Sequence, residues 1–285
     1  MANNVYNQSL KRQWLFQQVA IYGLLVALGA LFALPFVWLV STSLKIDSQL
    51  FVMPPIWIPD PIKWNNYRKA LGYIPFWLYF KNTLTIAVPS TIGMLVSSSL
   101  VAYGFARIQW PGRDAVFILV LATMMLPYQV TMIPLFIVFR NLGWIGTFKP
   151  LILPSFFGGP FYIFLLRQFY LTLPMELSDA AKIDGCSELG IYRRIILPLS
   201  KPALSTVALF SIMAYWNDFL APLIYLEDDS KYTLALGLQQ FQRQFGMEWA
   251  MLMATSVVIT LPIIVLFFLT QKTFVQGIAL TGMKG

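Results

Sequence analysis

The feature that most constrains this chain is a set of long apolar runs that are almost free of charge. The clearest lie at residues 20–44, 82–106 and 249–270, none of which contains Asp, Glu, Lys or Arg. A helix needs roughly 20 mainly apolar residues to cross a bilayer. In lipid, every backbone polar group must also be satisfied within the protein, which a helix achieves. The runs therefore predict transmembrane helices rather than a water-soluble fold.

Composition narrows the possible functions. The 285 residues are 58% hydrophobic and 11% charged, with no histidine and a single cysteine, Cys186. A disulfide within the chain is therefore impossible, and we expect no metal site and no histidine-based catalysis. We attribute the net charge of +8 to interfacial anchors and anionic lipid, and we expect no nucleic-acid partner.

The hydrophobic pattern predicts an all-α membrane protein with six transmembrane helices in one domain, residues 1–285. The segment 45–81, between the first two spans, is predicted to lie outside the membrane and to contain a short helix near 64–71. The six spans are predicted at 20–44, 82–106, 115–139, 150–170, 203–222 and 249–270.

Small residues and prolines add detail to two of these spans. Ser98, Ala102 and Ala106 recur every four residues in the second span, a spacing that allows close helix packing. Pro127 and Pro134 lie in the third span, where freed carbonyl groups need other partners. We therefore expect the third span to kink or to face a cavity.

A polar segment at residues 174–202 interrupts the apolar pattern between the fourth and fifth spans. Pro174 suits a first helical position, and Gly185 can take the left-handed conformation that ends a helix. Ser187 can cap a second helix that ends near Pro198. The polar segment therefore predicts two short helices around a glycine corner, outside the bilayer.

Sidedness follows from the number of spans and the distribution of charge. An even number of spans places both termini and the polar segment on one side of the membrane. That side carries eleven Lys and Arg residues, and the other carries nine. Cytoplasmic loops are enriched in Lys and Arg. The difference between eleven and nine only weakly favours one orientation. On this basis we assign the termini and the polar segment to the cytoplasm.

Few residues within the spans carry chemistry. Apart from Asp218 near the far end of the fifth span, the spans lack Asp, Glu, Lys and His, which argues against a proton-coupled carrier. The chain has no ATP-binding phosphate loop. We interpret Arg167 as reaching the interface. Asn217 and Asp218 either cap the fifth span or line a polar cavity.

The aromatic residues within the spans are interpreted as packing residues rather than as residues that stack on a sugar. They are Phe136, Phe139, Phe156, Phe157, Phe161 and Tyr162.

The polar segment contains a recognisable motif. It reads Glu176-Leu177-Ser178-Asp179-Ala180-Ala181-Lys182-Ile183-Asp184-Gly185, then Ile195-Ile196-Leu197-Pro198-Leu199. This order resembles the coupling loop of binding-protein-dependent ABC importer permeases, although Asp179 stands where that family usually has glutamate. Further stretches of the sequence resemble the sugar-importer branch of this family, in particular its second permease subunit of maltose type. They are Asn82-Thr83, Ala102 to Arg107, Phe164 to Phe169, Trp216 to Phe219, Tyr232 to Gly237 and Gly282 to Gly285.

The resemblance implies a non-catalytic permease subunit of an ATP-driven importer for a sugar or oligosaccharide, located in a bacterial or archaeal inner membrane. Its implied partners are a second permease, two ATPase subunits that bind ATP and Mg²⁺, an extracytoplasmic solute-binding protein and membrane lipid. The chain itself is expected to bind no cofactor. Glycerol-phosphate-type or other small polar solutes remain open, as do an ATP-independent carrier or channel and a membrane enzyme or scaffold.

The resemblance also assigns candidate residues. ATPase coupling is expected at Glu176, Asp179, Ala180, Ala181, Asp184, Gly185 and Pro198. An ATPase-contacting tail is expected at Gly282, Met283, Lys284 and Gly285. The substrate pathway is expected to include Tyr128, Gln129, Asn217 and Asp218.

Overall fold

The computed structural model of the protein describes residues 2–243 and 246–282, with side chains described for 14–242 and 248–271, and it is almost entirely helical. Two strands of two residues each, Gln242–Arg243 and Gly246–Met247, pair antiparallel. The prediction of an all-α fold is confirmed. The helices are α1 (Ala2–Ser43), α2 (Asn65–Tyr73), α3 (Phe76–Arg107), α4 (Arg113–Ala122), α5 (Tyr128–Asn141), α6 (Lys149–Ile152), α7 (Pro160–Thr172), α8 (Glu176–Ile183), α9 (Glu188–Ile191), α10 (Leu197–Leu199), α11 (Lys201–Trp216), α12 (Leu220–Tyr225), α13 (Leu234–Gly237) and α14 (Trp249–Gly282).

Within the described residues, four helical stretches are long and apolar enough to cross a membrane. They are Trp14–Ser43, Phe76–Arg107, Lys149–Thr172 and Trp249–Gln271. Two bent pairs bring the number to six if each pair is one span: Arg113–Met125 with Tyr128–Asn141, and Glu188–Leu199 with Lys201–Trp216. The prediction of transmembrane helices is confirmed, whereas the count of six stays a prediction.

Proline explains the break in the predicted third span. The two halves of this span meet at 97°, and Pro127 directly precedes α5. A proline disfavours helical backbone in the residue before it, and Leu126 is indeed extended, with φ −80° and ψ 112°. The expected kink is confirmed at Pro127, whereas Pro134 lies inside α5.

The chain divides into two compact units, residues 1–71 with 241–258, and residues 72–240 with 259–285. A single transmembrane domain over 1–285 stays a prediction. In the first unit, the buried Asn66 amide donates hydrogen bonds to the carbonyls of Ser43 and Lys45, each at 2.9 Å. These bonds join the short helix α2, predicted near 64–71, to the end of α1.

In the second unit, α3 packs against α7 and α11. The small residues Ser98, Ala102 and Ala106 are all buried, so the close packing predicted for this face is confirmed. The Gly159 amide, at the start of α7, donates to the Ser98 hydroxyl at 3.1 Å. The resulting core lies directly under the polar segment, whose Ile191 and Ile196 are fully buried in it.

The other end of α3 holds the segment that follows α12. The Asn82 amide donates to the carbonyls of Ser230 and Tyr232 at 2.8 and 3.0 Å. The Thr83 hydroxyl accepts from the Leu234 amide at 2.9 Å. At Gly237, an added Cβ would lie 2.5 Å from the ring of the fully buried Tyr79. Glycine is therefore required here for close approach.

We predict that Gly237→Ala destabilises the protein by about 1–3 kcal/mol, the usual cost of overpacking a filled core. Thermal unfolding of the purified chain in detergent measures this change. The matched control is Gly104→Ala in α3, where nothing lies within 4 Å of an added Cβ. The control should be neutral or stabilising, because alanine favours the helix over glycine. Equal midpoints for the two variants would contradict the packing described.

Candidate functional site

The first helix of the polar segment, α8, has one inward and one outward face. It begins at Glu176, two positions after the predicted start at Pro174. Ser178 and Ala181 are buried against the rest of the chain. Leu177 and Ile183 are exposed on the outer side. The helix is thus seated on the protein while an apolar surface remains uncovered in this chain.

The glycine corner forms as the sequence predicts. Gly185 has φ +78°, a left-handed conformation that favours glycine. Its amide donates to the Lys182 carbonyl at 3.0 Å, and the Cys186 amide donates to the Ala181 carbonyl at 2.9 Å. These two bonds are the Schellman arrangement that ends a helix. The Ser187 hydroxyl then accepts from the Gly190 amide at 3.3 Å, confirming the predicted cap of α9.

The second helical stretch of the polar segment is not a regular α-helix throughout. A π-helical turn, Tyr192–Ile196, separates α9 from α10, and the stretch ends at Ser200. Pro198 lies in α10, so the predicted end near that residue is confirmed. The helix axis then turns by 79° into α11. The polar segment therefore connects to the following span through a sharp bend.

A polar face of α3 binds the polar segment. Ser99, Tyr103 and Arg107 are spaced four residues apart, which places them on one side of the helix. The Tyr103 hydroxyl donates to Glu188 Oε2 at 2.6 Å. Lys182 Nζ lies 2.9 Å from Glu188 Oε1. Glu188 therefore connects α3 to both helices of the polar segment.

The two other members of this face hold different parts of the chain. The Ser99 hydroxyl lies 2.7 Å from the Tyr170 hydroxyl and 2.8 Å from the Tyr192 hydroxyl. This buried cluster joins α3 to α7 and to the π-helical turn. At the opposite end, Arg107 Nη1 lies 2.7 Å from Met175 Sδ, directly before α8. The polar segment is thus attached to α3 through Met175, Glu188 and Tyr192.

The electrostatics of Glu188 favour its ionised form. The hydrogen bond from Tyr103, followed by that from Lys182, lowers the pKa of the Glu188 carboxyl. Because the folded pKa is lowered, the stabilisation is present above the unfolded pKa and is lost as pH falls through the folded value. The ion pair with Lys182 contributes little by itself, since both side chains are almost half exposed.

The predicted coupling residues do not all face outward. Ala181 is buried in the chain's own core. Gly282 ends α14, and the remaining tail residues, Met283 to Gly285, lie outside the described residues. The exposed candidates are Glu176, Asp179, Ala180, Asp184, Gly185 and Pro198. Ser99, Tyr103 and Arg107 were not predicted, although polar residues every four positions in an apolar span were a usable signal.

A cavity of about 250 Å³ lies in the second unit, beside the break between α11 and α12. We call it the Asp218 cavity. Its walls come from α3, α5, α6, the 153–157 turn, the end of α11 and the region around α12. The lining residues are Met94, Tyr128, Leu135, Phe139, Pro150, Leu151, Pro154, Ser155, Tyr215, Asp218, Ala221 and Tyr225.

The Asp218 cavity brings together only part of the predicted substrate pathway. Tyr128 and Asp218 both line it. Gln129 does not line it, and the Asn217 amide instead donates to the Met213 carbonyl at 2.9 Å. Asp218 lines the cavity, and its Oδ1 also accepts from the Ala221 amide at 3.2 Å, at the start of α12. Tyr225, whose hydroxyl lies 3.4 Å from that of Tyr128, was missed.

Comparison with known proteins places these features in a family. Residues 94–279 match the family described as binding-protein-dependent transport system inner membrane component. The chain is 35% identical over 276 residues to the arabinooligosaccharides transport system permease protein AraQ of Bacillus subtilis (strain 168), covering 96% of this chain and 98% of the relative. It is 32% identical over 283 residues to the polygalacturonan/rhamnogalacturonan transport system permease protein YtcP of the same organism, covering 93% and 97%.

A solved structure shares the fold. It is the crystal structure of a bacterial ABC transporter involved in the import of the acidic polysaccharide alginate. The TM-score is 0.77 at 23% sequence identity, over 90% of this chain and 98% of the other. The protein belongs to the family of binding-protein-dependent transport system inner membrane components.

We predict that Tyr103→Phe loosens the middle of the polar segment. A hydrogen bond to a charged group contributes about 1.5–3 kcal/mol, so amide exchange across residues 186–192 should quicken about tenfold to a hundredfold. Hydrogen exchange with mass spectrometry measures this. Glu188→Gln should have a similar but smaller effect, and the double variant should add little to Tyr103→Phe.

The matched control is Tyr22→Phe, which removes a hydroxyl from the exposed face of α1. Exchange across residues 186–192 should be unchanged in this control. If Tyr103→Phe also leaves exchange there unchanged, the hydrogen bond to Glu188 does not hold the polar segment.

Proposed function

We propose that the chain forms one half of the membrane pathway of a carbohydrate importer driven by ATP that separate subunits hydrolyse. The observation that carries this proposal is the polar segment, a firmly attached element whose outer face is left uncovered. The names of the relatives support a carbohydrate solute, since AraQ is a transport permease for arabinooligosaccharides and YtcP one for polygalacturonan and rhamnogalacturonan.

In this proposal, α8 docks on an ATPase subunit. Its outer face combines the carboxylates of Glu176 and Asp179 with the exposed side chains of Leu177 and Ile183. Such a mixture suits a groove on a soluble partner, where apolar anchors supply affinity and charges set orientation. The Gly185 corner fixes the angle between α8 and the rest of the polar segment.

Movement of α8 would pass into the membrane by two routes. Lys182 and Glu188 connect the segment to Tyr103 on α3. The α10 end, with Pro198, leads through the sharp bend into α11. Opening and closing of ATPase subunits on ATP and Mg²⁺ would therefore shift two spans together. ATP and the loaded solute-binding protein can drive transport only if they favour different states of the pathway.

The remaining partners follow from the same assembly. We assign to the complex a second homologous permease, two ATPase subunits and an extracytoplasmic solute-binding protein. Both termini and the polar segment lie in the cytoplasm, and the tail Gly282 to Gly285 contacts the ATPase subunits. The apolar side chains of α1 are exposed from Trp14 to Val37 and would face lipid or the second permease. The chain itself breaks no covalent bond.

We predict that Gly185→Val weakens ATPase binding and ATP-driven uptake. A β-branched residue at positive φ costs about 1–3 kcal/mol, and relief of that strain would change the angle of α8. Nothing lies within 4 Å of an added Cβ, so the effect reports the backbone rather than a clash. Co-purification of the ATPase and uptake in vesicles loaded with ATP should both fall about tenfold.

Gly185→Asn is the matched control, because asparagine tolerates the left-handed conformation, and it should retain most activity. Normal ATPase binding and uptake in Gly185→Val would overturn the docking role of the polar segment. Uptake driven by an ion gradient in vesicles without any ATPase would overturn the proposed function itself.

A further inference from the structure

We propose that the Asp218 cavity is a binding site for one ring of a neutral, hydroxyl-rich solute, and that Asp218 excludes anionic solutes from it. The inference rests on the proposed function and names the solute class within it. Neither the family description nor the names of the relatives assign a solute site to these residues.

The walls of the Asp218 cavity suit a sugar ring. Tyr128, Tyr215 and Tyr225 each present an apolar ring together with a hydroxyl that can donate or accept. The Tyr225 ring is held by its neighbours, stacked on Phe136 at a centroid distance of 6.4 Å and edge-on to Phe139 at 5.3 Å. A ring fixed in this way loses little conformational freedom when a solute binds.

The volume limits what can enter. Sites that enclose drug-sized ligands measure roughly 300–1,000 Å³, and the Asp218 cavity measures about 250 Å³. It therefore accommodates one small ring rather than an extended chain.

Folding alone does not explain the charge at position 218. Asp218 accepts a hydrogen bond from the Ala221 amide at the start of α12. Asparagine performs this kind of capping as well as aspartate does. A negative charge inside a membrane protein is costly and usually serves function. The carboxylate therefore has a role beyond capping.

The carboxylate of Asp218 also has no cationic partner in the described part of the cavity lining. Among the described residues that line the Asp218 cavity, none is Lys or Arg. A carboxylate only accepts hydrogen bonds, so it binds sugar hydroxyl groups as donors. A uronate or phosphate would bring a second negative charge close to Asp218. At an effective dielectric constant near 20, two unit charges about 6 Å apart disfavour binding roughly a hundredfold.

The test uses two disaccharides that differ only at C6 of each ring, which is a hydroxymethyl group in α-1,4-galactobiose and a carboxylate in α-1,4-digalacturonate. Their equilibrium binding is measured on the purified complex of this chain with its partner permease and ATPase subunits in nanodiscs, without the solute-binding protein. The wild-type complex should bind galactobiose at least about tenfold, and up to roughly a hundredfold, more tightly than digalacturonate. Asp218→Asn should bind digalacturonate at least tenfold more tightly than the wild type and should change galactobiose affinity less than threefold.

Two further variants separate charge from structure. Asp47→Asn neutralises an exposed aspartate in the 45–64 loop and should leave the ratio of the two affinities unchanged. Tyr128→Phe should weaken galactobiose binding several-fold without improving that of digalacturonate. The thermal midpoint of Asp218→Asn should match the wild type, because the cap is kept.

An unchanged affinity ratio in Asp218→Asn, equal binding of both disaccharides by the wild type, or binding of neither would overturn this inference. Each of these results leaves the proposed function standing as long as ATP-driven uptake still requires the ATPase subunits. Loss of that requirement would instead contradict the proposed function.

Discussion

The hydrogen bond between Tyr103 and Glu188 is the contact on which the account of this protein depends. A hydroxyl buried in a transmembrane helix must find a partner, because unpaired polar groups are costly away from water. Tyr103 finds its partner on the polar segment, at 2.6 Å. Ser99, one turn away, is satisfied by Tyr170 and Tyr192. The need to pair polar groups of α3 thus also fixes the polar segment to the membrane-embedded part of the chain.

The same helix serves both candidate sites. Met94 of α3 lines the Asp218 cavity, and Tyr103 of α3 binds the polar segment. The two residues are nine positions apart on a continuous helix, a separation of about 14 Å at 1.5 Å per residue. A displacement of the polar segment would therefore reach the cavity wall through a single rigid element. In the proposed importer, α3 is therefore one path between the ATPase subunits and the solute, beside the route through α11.

Local features of this fold were predictable from the sequence, and long-range ones were not. The apolar runs, the Pro127 kink, the Gly185 corner and the Ser187 cap depend on residues close together in the chain. The contact of Tyr103 with Glu188 spans 85 positions, and no local pattern reports such a pair. Arg167 was interpreted as reaching the interface, and this stays a prediction. Arg167 Nη2 lies 3.4 Å from Oδ1 of the exposed Asp114, at the start of α4. Its guanidinium lies over the Phe117 ring at 4.1 Å, and Nε donates to the Phe105 carbonyl at 3.2 Å.

At the candidate sites, too, local features were predictable from the sequence and long-range contacts were not. A helical motif indicates which residues share α8 but not which face is covered, so Ala181 was expected on the docking surface although it packs inward. Tyr128 and Asp218 meet only because the third span breaks at Pro127 and the fifth ends at Trp216. Asn217 and Gln129, adjacent in sequence to those two residues, do not line the cavity.

The most direct test of the central claim is a cryo-electron microscopy map of the chain bound to its co-expressed ATPase subunits. Ile183 on the outer face of α8 is 86% exposed in the isolated chain. If α8 docks on an ATPase subunit, Ile183 and Leu177 become buried in a groove of that subunit while Tyr103 remains bonded to Glu188. A map in which α8 stands in solvent or enters lipid, with no ATPase subunit against it, would contradict the account.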